Sequence, residues 1–380
     1  MSEFVPYGRQ WIDEDDIQSV VEVLRSDFLT TGPMVRRFEE GLERYTGARH
    51  AVALNSGTSA LHAAYFAAGL RPGDEIVTTP LTFAATANAA LYLGAQVRFV
   101  DVEPDTGNLD PAALPQALSE RTRLIVPVDY TGHPSDYDAI VKVARTHGLR
   151  VVADAAHSLG ARYKGRPVGT LADATELSFH PVKPVTTAEG GAVLTNDPAL
   201  AERVGVFRSH GIVRDPARMH QDEGPWYYEV QHLGYNYRLT DVQSALGLSQ
   251  LQKLDAFIAR RRAIAKRYFE NLRDLPQLLL PTVRPDVEPG WHLFVVRVVE
   301  PERRRVFFER LRELGLGVQV HYVPVHWHPI YRELGFKRGQ FPQAEGFYAR
   351  AVSLPIFPKM SDADVDSVIE RVRRAAFEVL

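Results

Sequence analysis

Between residues 50 and 200, short apolar runs alternate with segments of helical spacing, and this alternation restricts the fold more than any other property of the chain. The apolar runs cover 50–54, 75–78, 96–100, 124–128 and 150–153. Helix-like stretches cover 59–68, 111–119 and 137–146, each bounded by Gly, Pro, Asp or Asn, as helix ends usually are. Strands separated by helices can pair in parallel, because a parallel connection needs a long crossover. The pattern predicts an α/β fold, with a mostly parallel sheet and helices on both faces. Residues 212–228 interrupt it with charges, two prolines and the run Trp226-Tyr227-Tyr228, and read as a long functional loop. Residues 240–264 read as one long helix, and 278–380 as a smaller α+β region. At 380 residues the chain has room for two domains, expected at 13–250 and 251–380, with residues 1–12 as an N-terminal arm.

Composition removes several function classes. A net charge of −3 argues for neither a nucleic-acid nor an anionic-membrane partner. The chain has no cysteine, so disulfides and thiol catalysis are excluded. No apolar run is long enough to span a membrane, and the N-terminus lacks the basic-then-apolar pattern of a leader, so a cytoplasmic protein is expected.

Three segments carry chemistry. The first is Ser178-Phe179-His180-Pro181-Val182-Lys183-Pro184-Val185-Thr186-Thr187-Ala188-Glu189-Gly190-Gly191. Lysine is the usual residue for Schiff-base chemistry, and apolar neighbours such as Val182 and Pro184 desolvate it and lower its pKa. Ser178 offers a hydroxyl for an anion. The second is Val151-Val152-Ala153-Asp154-Ala155-Ala156-His157, an apolar run that delivers a carboxylate at the end of a buried strand, where open α/β sheets place ligands. His157 is suited to stack or hydrogen-bond beside a flat ring. The third is Ala51-Val52-Ala53-Leu54-Asn55-Ser56-Gly57-Thr58-Ser59-Ala60-Leu61, a strand, a turn and a helix start. Free N–H groups at a helix N-terminus suit a phosphate, and Gly57 permits close approach. Each segment alone has an ordinary alternative: a surface lysine, an Asp capping a helix, a Ser/Thr/Gly cap, a satisfied core histidine. Together, in this order, they point to one site.

These segments, with Tyr7-Gly8-Arg9-Gln10, Phe28-Leu29-Thr30-Thr31-Gly32-Pro33, Thr82-Phe83-Ala84-Ala85-Thr86-Ala87-Asn88, Gly234-Tyr235-Asn236-Tyr237-Arg238-Leu239-Thr240-Asp241 and Val320-His321-Tyr322-Val323-Pro324-Val325-His326, make the chain resemble the DegT/DnrJ/EryC1/StrS family over essentially its whole length. Within it, the Lys183 run and Phe207-Arg208-Ser209-His210-Gly211 are most similar to the pseudaminic-acid branch, with the 4-amino-4-deoxy-L-arabinose branch a near rival. The resemblance implies an aspartate-aminotransferase-like fold (fold type I), pyridoxal 5′-phosphate (PLP) as cofactor, and transfer of an amino group from L-glutamate to a nucleotide-linked keto sugar. In the pseudaminic-acid branch that sugar is a UDP-linked 4-keto-6-deoxy-N-acetylhexosamine, aminated at C4.

By the same resemblance Lys183 is the Schiff-base lysine and Asp154 the partner of the pyridinium nitrogen. Gly57, Thr58 and Ser178 line the phosphate, while His157 and Phe83 border the ring; Phe83 read alone is more readily a core aromatic, a reading the resemblance reverses. Asn236, read alone a turn residue, is implied to cross a homodimer interface to the neighbour's phosphate, so that the two sites are shared. Tyr7, Thr31, Arg238, Tyr322 and His326 are implied on the substrate side. His321, His326 and His328 lack the carboxylate or cysteine spacing of a metal site, and none is expected. Two other classes stay open: a sugar dehydratase, which carries histidine in place of the lysine, and a non-catalytic member of the fold.

Overall fold

The computed structural model describes residues 4–380. Seven strands form the central sheet: β1 (His50–Leu54), β2 (Glu75–Thr78), β3 (Gln96–Phe99), β4 (Thr122–Val126), β5 (Arg150–Asp154), β6 (Ala174–Ser178) and β7 (Gly191–Thr195). Their spatial order is β1-β7-β6-β5-β4-β2-β3. All neighbours pair in parallel except β7, which is antiparallel to both β1 and β6. The mostly parallel sheet expected from the alternation is present.

The strands are apolar on both sides because helices cover both. Side chains alternate across a strand. Val52, Leu54, Ile76, Val126, Val152 and Val193 share one core, while Ala51, Ala53, Ala153, Ala192 and Leu194 share another. Helices α1 (Glu14–Leu24), α2 (Pro33–Thr46), α3 (Gly57–Ala67), α4 (Ala84–Tyr92), α5 (Tyr137–Thr146) and α6 (Pro198–Arg208) complete this part of the chain. α3 and α4 pack in the first core and α2 in the second.

Three sequence expectations need correction. The stretch 111–119 is not one helix but a 3-10 turn, Pro111–Ala113, followed by the short Leu114–Ala117; Pro115 has no N–H to give a longer ladder. The stretch 240–264 is two helices, α7 (Asp241–Gln252) and α8 (Leu254–Leu272), separated at Lys253. The side chain of Lys253 turns to Asp13 and Asp16, and Gln250 and Ser249 also donate to Asp16, so α7 is fastened to α1 at the point where the helix breaks. Residues 212–228 are not structureless: Ile212–Val213 pairs with Glu229–Val230 and closes the loop at its base.

The C-terminal region has its own antiparallel sheet of β8 (Leu278–Leu279), β9 (Phe294–Val298) and β10 (Ala351–Leu354), covered by α9 (Arg304–Glu313) and α10 (Asp362–Val379). α8 belongs to both cores. Leu254 and Ile258 pack under the large sheet, and Ile264, Tyr268 and Leu272 pack against the small one. No helix among the described residues is long and apolar enough to cross a membrane.

Gly247 on α7 is wedged against the loop that carries Lys183: a Cβ there would meet Thr187 Cγ2 at 2.7 Å and Phe38 Cζ at 2.8 Å. Gly247→Ala should therefore destabilise the chain by about 1–3 kcal/mol, the usual cost of overpacking. Gly205 on α6 has open space at its Cβ, and Gly205→Ala should be neutral or add up to ~1 kcal/mol through helix propensity. Denaturant unfolding of the two variants checks the contrast; equal stabilities would remove the claim of close packing at Gly247.

Candidate active site

The carboxyl ends of β5 and β6 and the start of α3 converge on one cavity of about 450 Å³. Nine of the positions singled out from sequence line it: Tyr7, Gly57, Thr58, Phe83, Asp154, His157, Ser178, Lys183 and Tyr322.

α3 begins in a capping box. Ser56 Oγ accepts from the Ser59 N–H at 3.0 Å, and Ser59 Oγ accepts from the Ser56 N–H at 3.0 Å. The N–H groups of Gly57 and Thr58, in the first turn, have no intrahelical partner, and both residues line the cavity, so this helix start can receive an anion. A side chain at position 57 is excluded, since its Cβ would lie 2.6 Å from Glu176 Oε1 and 3.0 Å from Ser178 Cβ.

Lys183 sits in the loop joining β6 to β7. The loop is pinned at both ends: the Phe179 N–H donates to the Gly190 carbonyl (2.9 Å), and the Thr187 N–H donates to the Phe179 carbonyl (3.0 Å). Its own N–H donates to the His180 carbonyl at 2.9 Å. Burial lowers the amine to about 8, and the Asp154 and Glu176 carboxyls limit the fall. An amine in that range is neutral in roughly a tenth of molecules at pH 7, far more than an ordinary lysine with its pKa of about 10.4, and that neutral fraction is the competent nucleophile.

Asp154 is buried at the end of β5. Its Oδ2 accepts from Thr86 Oγ1 at 2.6 Å, and its Oδ1 accepts from the Ala156 N–H at 3.3 Å. His157 Nε2 is 3.1 Å from the Tyr322 hydroxyl, and its ring lies 4.4 Å from that of His292. Burial, with the Lys183 charge second, drives His157 well below the ordinary histidine range, so it is a neutral imidazole. Phe83 is 60% exposed, with its ring 5.9 Å from that of Tyr322. That exposure sets it apart from a core aromatic. Tyr7 stands 5.5 Å from the His321 ring, and burial raises its hydroxyl.

Four positions lie outside the cavity. Thr31 is exposed in the left-handed backbone region, with φ 55. Asn236 is exposed, bridges to Ser209, and accepts from Asn55 Nδ2 through its backbone carbonyl at 3.3 Å. Arg238 is half-buried and bridges to Leu54. His326 is a correction to the substrate set. It is fully buried, its Nε2 is 2.9 Å from Glu345 Oε1, and its ring packs against Phe341 at 4.9 Å, so its polar edge is turned away from the cavity. The histidines read as a cluster diverge, since His321 meets Ser353 Oγ at 2.8 Å instead. Among the described residues no group of three His, Cys, Asp or Glu gathers to hold a metal.

Sequence reading missed Glu176 and His292, both of which line the cavity. Glu176 had a signal: it is an acid sharing a strand face with Ser178, two residues on and just ahead of the lysine run. His292, in Trp291-His292-Leu293, had none.

The chain is similar in structure to Helicobacter pylori PseC, an aminotransferase involved in the biosynthesis of pseudoaminic acid, at TM-score 0.93 and 35% identity, with 99% of this chain and 100% of that one covered. It is similar to the PLP form of a putative sugar aminotransferase from Streptococcus pneumoniae at TM-score 0.93 and 31% identity, with 99% and 100% covered. In sequence it is 43% identical, over 97% of this chain and 96% of the relative, to the spore coat polysaccharide biosynthesis protein SpsC of Bacillus subtilis. The cavity's own residues fit PLP: unpaired N–H groups for a phosphate at Gly57 and Thr58, a buried acid at Asp154 and an amine of lowered pKa at Lys183. The DegT/DnrJ/EryC1/StrS aminotransferase family model matches residues 10–373, and the chain belongs to that family of PLP-dependent sugar aminotransferases.

Proposed function

We propose that this enzyme moves an amino group from L-glutamate to C4 of a UDP-linked 4-keto-6-deoxy-N-acetylhexosamine, as a cytoplasmic homodimer with two shared sites and domains divided near residue 250. The observation that carries the reading is the convergence of Lys183, Asp154 and the start of α3 on one cavity. The likeness to PseC and the match of the Lys183 run to the pseudaminic-acid branch support the choice of sugar.

In this reading Gly57, Thr58 and Ser178 hold the phosphate and Asp154 keeps the pyridine nitrogen protonated. Phe83 and His157 border the ring, the latter as a neutral group that adds no charge. PLP, when bound, supplies the electron sink that lets an amino acid release its Cα proton. Lys183 is both anchor and base. Its neutral amine, once free, would take the proton from the amino donor's Cα and hand a proton back, and would play the same part in reverse for the keto sugar. Tyr7 and Tyr322 line the same cavity and are assigned to the substrate. Arg214 and Arg218, candidates for the diphosphate, are otherwise engaged within one chain: Arg214 lies 5.0 Å over the Tyr228 ring and Arg218 is paired with Glu202. Asn236 is exposed on its own chain, as a residue that completes a partner's phosphate site would be.

The amine's lowered pKa has a direct readout. Labelling of the apoprotein with acetic anhydride, followed by peptide mass spectrometry, should show Lys183 reactivity rising with pH through a midpoint near 8. Exposed lysines, whose amines stay protonated to about pH 10, should lag behind it. A midpoint for Lys183 indistinguishable from theirs would remove the argument for an activated amine.

Subunit sharing is tested by mixing. Asn236→Ala and Lys183→Ala homodimers should each be inactive or nearly so. If Asn236 crosses the interface, the mixed dimer gathers both defects in one site and leaves the other whole, recovering up to about half the parent activity per dimer. No recovery, with exchange verified, returns Asn236 to its own subunit.

The substrate is decided by supplying L-glutamate with either the UDP-linked keto-hexosamine or a UDP-4-keto-pentose and measuring 2-oxoglutarate. Turnover is expected with the hexosamine and none with the Lys183→Ala control. Turnover of the pentose alone moves the assignment to the L-arabinose branch. Silence of the PLP-loaded enzyme toward UDP-, dTDP- and GDP-linked keto sugars would sink the proposed reaction.

A further inference from the structure

The pairing of β5 with β6 sets Asp154 directly opposite Glu176. Parallel partners in register project to the same face, so two acids stand side by side at the carboxyl end of the sheet. Both are buried, at 6% and 1% exposure, and close enough that the Asp154 carboxyl acts directly on that of Glu176. Two carboxylates this close and away from water cannot both ionise. Their surroundings are unequal. Asp154 already accepts from Thr86 Oγ1 and the Ala156 N–H, as an anion does. Glu176 Oε2 has no hydrogen-bond partner among the described residues, and Oε1 lies against Gly57 at the start of α3. Burial first, and the Asp154 charge second, raise Glu176 well above the carboxylate range. The other ionisable groups facing it are Lys183, from the loop after β6, and Tyr65 on α3, whose hydroxyl is committed to the Thr86 carbonyl at 2.9 Å.

We propose that Glu176 is a positioning residue for Asp154: a neutral carboxyl that donates a hydrogen bond to the Asp154 carboxylate, fixing its aim into the cavity and keeping a second negative charge away from the phosphate end. The inference rests on the assignment of Asp154 to the ring nitrogen and of α3 to the phosphate. An ionised Glu176 would face an anionic phosphate across Gly57 and compete with Asp154 for Lys183. A neutral one leaves a single anion opposite a single cation. The amide of Gln reproduces the donor without the acid, and Leu removes it, so the pair of variants separates positioning from bulk.

Two measurements test this. In the apoprotein, infrared spectra with labelled glutamate should show a protonated-carboxyl band at neutral pH that is absent from Glu176→Gln. PLP affinity and the rate of the half-reaction with L-glutamate should lie within about threefold of the parent in Glu176→Gln, while Glu176→Leu loses roughly tenfold or more in affinity, the scale of one hydrogen bond to a charged group. An ionised Glu176 in the infrared spectrum overturns the proposal, as does a Gln variant as impaired as Leu or a Leu variant that binds like the parent. If Glu176→Leu does not fold, the infrared band and the Gln variant still decide. Asp154→Asn serves as the control for the underlying assignment: an unchanged half-reaction there rejects the role of Asp154, whereas the infrared result reports on Glu176 alone.

Discussion

The antiparallel entry of β7 between β1 and β6 is the constraint on which the site depends. The chain leaves β6 at Ser178 and must return beside it at Gly191, so the intervening residues form a closed loop over the carboxyl end of the sheet. Lys183 is therefore confined to that end, where Asp154 emerges from β5. The same strand pairs Gly191 with Leu54, one step before the turn into α3. A Cβ at Gly191 would lie 2.4 Å from the Ser56 carbonyl oxygen, so glycine is what lets the start of α3 close on the lysine loop. Anion end, acid and amine are thus brought together by one strand insertion.

The charges in the cavity are few and sheltered. Desolvation brings the Lys183 amine down to about 8, and the acids beside it keep it from falling further. The segment after Asp154 is fixed from beneath by Asp129, which accepts from the Ser135 N–H at 2.9 Å, the Tyr137 hydroxyl at 2.9 Å and Ser158 Oγ at 2.6 Å. Asp129 is wholly buried, and burial raises it to about 6 despite these donors. Ser158 follows His157 directly, so this network sets the position of the imidazole without touching it. Buried polar groups that are fully satisfied in this way specify one geometry.

Five of the seven strands of the central sheet were legible as short, mostly apolar runs between helix-like segments, because most of their residues are buried. Asp154, Lys183 and the start of α3 were legible for a related reason: each breaks such a run at its carboxyl end, where side chains must leave the core. Glu176 was harder, since its strand, Ala174–Ser178, mixes apolar and polar residues, and the acid has no evident role until its register partner is known. The break at Lys253 was invisible because the local sequence is helical throughout, and the kink is set by distant partners, Asp13 and Asp16. His326 failed for the opposite reason. Its neighbours in sequence reach the cavity, but Val325–Trp327 is a 3-10 turn that carries its ring into the core beside Phe341. Asn236 and Thr31 are exposed in one chain, and a site shared between chains leaves no mark on the burial pattern of either alone.

The C-terminal region is coupled to the lysine loop through a single buried guanidinium. Arg261 on α8 is 1% exposed and has no carboxylate partner among the hydrogen bonds and ion pairs of the described residues. It donates to the carbonyls of Trp291 (3.1 Å), His292 (3.3 Å) and Ile356 (2.9 Å), and approaches that of Val182 at 3.5 Å. Burial lowers it to about 10, still well above neutrality, so it stays charged. A guanidinium presents its donors in a rigid plane, and carbonyls arriving from separate segments can satisfy it only in one relative arrangement. The Ile356 N–H donates in turn to the Tyr7 carbonyl. A displacement of α8 would thus be felt at once by His292, by the residue before Lys183 and by the segment that carries Tyr7, which makes the C-terminal region, through His292, His321 and Tyr322, part of the wall of the active site.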